Sequence, residues 1–199
     1  MNNLEILLHI LIHPYYAIRR GEKSLGLSII VVAVAVWSTT VSDYLIRGVW
    51  VSPHLFSFSF ILRFTITLFS ILIAVSLWHV VSETFRGKGR VGELFPSICL
   101  CFLPYIFLSP AALIISSLGT GLTSYWSFFK FLIILWVIIL QIFSLKIIYE
   151  LNGLVAALSY FTPVLLLFAI LLLAFLLMVS ILIIMTSQAL SGLLPVLNM

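Results

Sequence analysis

Residues 151–199 read LNGLVAALSYFTPVLLLFAILLLAFLLMVSILIIMTSQALSGLLPVLNM, without a single Asp, Glu, Lys or Arg. A helix needs about 20 mostly apolar residues, at roughly 1.5 Å each, to cross a bilayer. This stretch exceeds that requirement with no charge to bury. Upstream, the uncharged pattern repeats over 131–145, 94–129, 64–82 and 24–42. Five such runs, parted by short polar breaks, predict an all-α polytopic membrane protein with five transmembrane helices.

Composition agrees. Apolar residues make up 63% of the 199 positions and charged residues 8%, against about 25% charged in a typical soluble domain. The mean hydropathy is +1.31. A net charge of +4 is not a nucleic-acid signature here, because the cations flank apolar runs instead of forming a basic stripe. No nucleic-acid partner is expected. Cys99 and Cys101, two apart in an apolar run, suit neither a zinc knuckle nor a CxxC redox pair. They are read as small packing residues.

The predicted spans are roughly 25–45, 60–82, 94–118, 128–150 and 161–186. Ahead of them, 1–24 forms a short amphipathic interfacial segment. Leu4, Leu7, Leu8, Leu11 and Ile12 recur at helical spacing, and Pro14, Tyr15, Tyr16, Arg19 and Arg20 follow. No cleavable signal peptide is expected. The five-helix domain covers 25–187, and 188–199 is a short non-cytoplasmic tail. Arg63 is placed about one turn inside the second span, within snorkelling reach of the interface. Pro96, Pro104 and Pro110 predict a kinked or broken third span.

Short-loop basic residues set orientation. With a cytoplasmic N-terminus, Arg19, Arg20, Lys23, Arg86, Lys88, Arg90 and Lys146 lie inside, and Arg47, Arg63 and Lys130 outside. The expectation is therefore N-inside and, after five spans, C-outside.

The polar residues offer few constellations. His79 and Glu83 are four apart at one helix end, and Lys146 and Glu150 are four apart at another, spacings that share a helix face. His79, Glu83 and Glu150 would form a metal or proton site between helices, or, as the favoured reading, these residues make interfacial ion pairs at the membrane edge. Asp43 and Arg47 form a similar pair, with Arg63 near it. The turn from Glu83 to Glu93 alternates Arg86, Lys88 and Arg90 with Gly87 and Gly89, as a cytoplasmic contact or a topological anchor would. Pro104 is the candidate hinge of the third span. His9 and His13 lack the further ligands a metal site needs. GxSxG, HExxH and P-loop motifs are absent. Intramembrane hydroxyls such as Thr65, Thr67, Ser70 and Ser76 are read as bonded to their helix backbone or to a neighbouring helix and not as nucleophiles. No enzymatic activity, cofactor or metal is expected.

Three stretches together resemble the Yip family, five-span membrane proteins named for interaction with Ypt/Rab GTPases. HPYYAIRRGEKSLGLSIIVVAVAV resembles the family's proline-bearing lead-in to its first span. GKGRVGELFPSICLCFLPYIFLSPAALI resembles its glycine-bearing turn and proline-containing third span, with Pro104 matching the proline. LWVIILQIFSLKIIYELNGLVAAL resembles its fourth span, with Trp136 near the middle and Lys146 near the cytoplasmic end. Cys99 and Leu100 stand where eukaryotic members carry a glycine-tyrosine pair, and the region before the first span is short. The match is thus to a minimal prokaryotic-like member, and Rab-type GTPase binding is not expected. The resemblance implies a multi-pass protein of a prokaryotic cell membrane. With no catalytic motif in the chain, the expected role is a non-catalytic scaffold or accessory subunit in the lipid bilayer, whose partner is a transport, export or trafficking complex (such as an ATPase with its permease) or a second copy. The alternative is a small transporter or channel subunit with a path along the kinked third span.

Overall fold

The computed structural model describes residues 25–48, 52–118 and 123–197. The amphipathic segment, with His9, His13 and its arginines, lies outside the described residues. The elements are α1 (Leu25–Arg47), α2 (Pro53–Thr84), α3 (Val91–Leu100), a 3₁₀ turn (Leu103–Phe107), α4 (Leu108–Ser117), α5 (Thr123–Ile148) and α6 (Gly153–Leu197). No strand occurs among the described residues. Five helical segments are long and apolar enough to cross a membrane, with α3, the turn and α4 together forming the third.

Two units divide the chain, one up to Tyr160 and one from Phe161 onward. The second consists, among the described residues, of the continuation of α6, whose helix runs to Leu197 through the stretch read as a tail. Its side chains, as far as Thr186, are mostly exposed leucine, isoleucine and phenylalanine. Such an all-round apolar surface suits lipid or other membrane helices and not water.

In the first unit α1 is the hub, packing on α2, α3, the 3₁₀ turn and α4. Its buried face is Ser28, Val31, Val32, Ala35, Val36, Ser38, Thr40 and Ser42. Small side chains at helical spacing let backbones approach closely, which is how helices associate where no hydrophobic force separates them from lipid. Val32, Val36, Ile71, Val75, Leu94, Ile98 and Leu145 belong to the main core. Cys99 and Cys101 are buried and unbridged, and Cys101 Sγ lies 3.2 Å from Ser144 Oγ.

The third span breaks as its prolines predict. Pro104 opens the 3₁₀ turn, and α-helix resumes only at Leu108. Proline removes a donor, so a break inside a bilayer strands backbone groups that water cannot reach. Ser38 of α1 meets two of them. Its hydroxyl donates to the Ile106 carbonyl at 3.0 Å and accepts from the Ser109 N–H at 2.9 Å. It serves as a cap supplied by another helix.

Two expectations change. The second helix starts at Pro53, not near residue 60, because proline fits the first helical turn. Arg63 therefore lies about 15 Å from the start of that helix. It donates from Nη1 to Asp43 Oδ2 at 2.7 Å, and Lys130 Nζ reaches Oδ1 at 3.2 Å. Asp43 thus pairs across to α2 and α5 and not with Arg47 along its own helix. Thr65 and Ser76 do bond their own helix, donating to the carbonyls of Ile61 and Leu72 at 2.9 Å.

Ser38→Ala should destabilise the folded protein by about 1–3 kcal/mol, since two partly buried backbone groups at the break lose their partner. Ser180→Ala, an exposed serine bonded only to Leu176 of its own helix, should change little. Thermal unfolding of both variants in detergent checks this, and equal stabilities would remove Ser38 as the cap of the break.

Candidate functional site

The best-organised polar structure lies where α2 and α5 end. Phe85 terminates α2, and Arg86 turns back with φ of 62°. The Arg86 N–H donates to the Glu83 carbonyl at 2.8 Å and the Gly87 N–H to the Ser82 carbonyl at 2.9 Å. These paired bonds form a Schellman stop, whose left-handed residue is usually glycine. The end of α5 does the same. Glu150 has φ of 54°, and the Leu151 N–H donates to the Lys146 carbonyl at 3.1 Å. An arginine and a glutamate thus hold two positions that favour glycine.

Tyr149, only 1% exposed, fills the space between these ends. Gly87 and Gly89 pass directly over its ring. A Cβ on Gly87 would fall 2.8 Å from Tyr149 Cδ1, and one on Gly89 2.8 Å from both Tyr149 Cδ1 and the Ile148 carbonyl oxygen. Hence the alternation of the turn has a physical cause. The glycines lie half-buried against the tyrosine, while Arg86, Lys88 and Arg90 are exposed.

Below the turn a hydrogen-bonded chain runs from Tyr149 to α2. The Tyr149 hydroxyl lies 2.7 Å from His79 Nδ1, and His79 Nε2 lies 3.3 Å from Glu83 Oε1. The Tyr149–His79 hydrogen bond takes its direction from the tautomer of the ring. Burial, with the nearby charge of Glu83, pushes the Tyr149 phenol up to about 12. It therefore keeps its proton at neutral pH. Buried Tyr149, half-buried His79 and exposed Glu83 thus link the end of α5 to α2 beneath the turn.

The candidates divide accordingly. His79 and Glu83 join through Tyr149, a residue the sequence reading missed; the available signal was the pair of glycines, which need a flat neighbour. Arg86, Lys88 and Arg90 stand on the same turn. Lys146 and Glu150 do not form the expected same-face pair. The α5 helix ends at Ile148, and the left-handed Glu150 lies beyond it. Both side chains are exposed and no ion pair joins them. Pro104 belongs to the break in the third span, not to this site. Among the described residues no three His, Cys, Asp or Glu side chains gather as a metal-binding group.

Comparison with family models, curated proteins and solved structures found no match.

Gly89→Ala should destabilise by about 1–3 kcal/mol, the usual penalty of overpacking against fixed neighbours. Gly92→Ala, in the first turn of α3 with open space around its added Cβ, should be neutral or gain up to about 1 kcal/mol of helix propensity. Denaturant titration of the pair in detergent separates close approach from general glycine intolerance, which would penalise both alike.

Proposed function

We propose that this chain is a non-catalytic integral membrane scaffold or accessory subunit, of the minimal prokaryotic Yip type, that engages a membrane complex through its glycine-rich turn. The observation carrying this reading is the placement of Arg86 and Glu150. Both are exposed charged residues held in left-handed backbone conformation where glycine would be relaxed. Strain kept at an exposed charge points to a use for that charge. The partner is a transport or export complex, such as an ATPase with its permease, or a second copy. The turn is rigid because Tyr149 supports it, so Arg86, Lys88 and Arg90 meet a partner at low ordering cost.

A second reading has its own support. A cleft of about 270 Å³ between α2, α3 and α5 is lined by Thr67, Ser70 and Gln141 together with apolar residues. Polar groups lining a cleft within a bundle suit a small transporter or channel subunit. Flux of a solute through proteoliposomes of the purified protein alone would favour that role over the scaffold.

Arg86→Gly separates folding from recognition. It should stabilise the protein by about 1 kcal/mol, by relieving a left-handed non-glycine residue, yet weaken the complex. Quantitative mass spectrometry of material purified in mild detergent gives the readout. A more stable variant that keeps every partner at wild-type yield would sink the scaffold reading.

The orientation proposed with it is N-terminus cytoplasmic and C-terminus outside, from the seven-to-three excess of basic residues. Single cysteines at Asn3 and Met199, in a background lacking Cys99 and Cys101, should label from opposite sides of the membrane. Labelling from one side would require an even number of spans.

A further inference from the structure

Asp43 shares one carboxylate between two cations. Arg63 and Lys130 lie 2.7 Å and 3.2 Å from its two oxygens, and the three side chains are 19%, 41% and 38% exposed in that order. The group therefore holds one formal positive charge in excess, drawn from three helices, at partly enclosed positions of a membrane bundle. Such a charge is unfavourable there unless an anion meets it. Donors remain for one. Guanidinium has five N–H groups and ammonium three, and Asp43 engages Nη1 of the first and Nζ of the second. Ser59 sits one turn before Arg63 on the same face of α2. Its oxygen accepts from the Tyr44 hydroxyl at 3.0 Å, which leaves its own hydrogen to donate.

An apolar groove of about 510 Å³ lies on the same two helices as the Asp43–Arg63 pair. It is lined by Ala33, Val34 and Trp37 of α1 and Phe56, Phe60 and Ile61 of α2, with Ser57. Phe56 connects the two features. Its ring lies 6.4 Å from that of Trp37 in the groove and 5.9 Å from that of Tyr44, the partner of Ser59. Phe56, Phe60 and Arg63 follow at i, i+4 and i+7, one stripe of α2. The groove and the Asp43–Arg63 pair thus lie on the same two helices, linked through Phe56, Tyr44 and Ser59, while Lys130 joins the cluster from α5.

We propose that this site binds a phospholipid, with the headgroup phosphate on Arg63, Lys130 and Ser59 and an acyl chain in the groove. Guanidinium, ammonium and hydroxyl are the donors that recognise phosphate oxygens, and charge complementarity selects an anionic head. Inorganic phosphate shares the head chemistry but would leave the groove empty. The proposal depends on the five spans and is independent of the scaffold role.

The test uses the full chain in detergent with radiolabelled dioleoylphosphatidylglycerol. The wild type should retain this lipid, should not retain dioleoylglycerol, and should not release the lipid to an equal concentration of inorganic phosphate. Arg63→Gln and Lys130→Gln should each weaken retention tenfold or more. Asp43→Asn should strengthen it several-fold, because it removes the competing carboxylate although it also breaks the ion triad. That opposite sign distinguishes a binding site from a structural cluster. Equal retention of dioleoylglycerol, release by inorganic phosphate, or weakened binding in Asp43→Asn would each overturn the proposal.

Discussion

The hydrocarbon core of a bilayer offers no hydrogen bonds, so a helix broken inside it stands only if another part of the chain supplies them. Here the supplier is one hydroxyl. Ser38 bonds a carbonyl before the resumed helix and an N–H within its first turn. The rest of the body follows from that contact. Ser38 can reach the break only because α1 presents a face of serine, alanine, valine and threonine, which brings its backbone close to the third span. The same closeness makes α1 the helix on which α2, α3 and α4 meet. A larger residue on that face would separate the elements and strand the break at once.

At the other end of α2 a different constraint does similar work. A single aromatic ring, supported from below by His79 and Glu83, forms the surface over which a turn with two glycines is drawn. The turn is short of side-chain atoms where it touches the protein and rich in charge where it does not. Stiffness and exposure, normally opposed in a loop, coexist because the ring replaces the side chains that the glycines lack.

The spans were legible in the sequence because an uncharged apolar run of about 20 residues matches the thickness of a bilayer. The break was legible from Pro104, since proline's missing donor is a local fact. Its remedy was not, because Ser38 and Ile106 are 68 positions apart and nothing in either neighbourhood names the other. His79 and Glu83 could be paired from helical spacing, but Tyr149 comes from another helix and looks like any interfacial tyrosine. The Lys146–Glu150 pairing failed because it assumed helix through residue 150, whereas α5 ends at Ile148. The start of the second helix was misread in the opposite way. His54, Ser57 and Ser59 look like a polar break, yet a proline start carries helix through them.

The last helix differs from the others in how it can be positioned. The apolar span within it covers Gly153–Thr186, about 51 Å of helix against a hydrocarbon thickness of about 30 Å. Near its start, Tyr160 donates to Gln141 Oε1 at 2.8 Å and its carbonyl accepts from Trp78 Nε1 at 3.0 Å. Beyond that point no lysine, arginine, aspartate or glutamate occurs through residue 199. Charged residues are what usually fix the depth of a helix end. Along this stretch no charged side chain ties the helix to a given depth. A bilayer thinner or thicker than average would meet only uncharged side chains there.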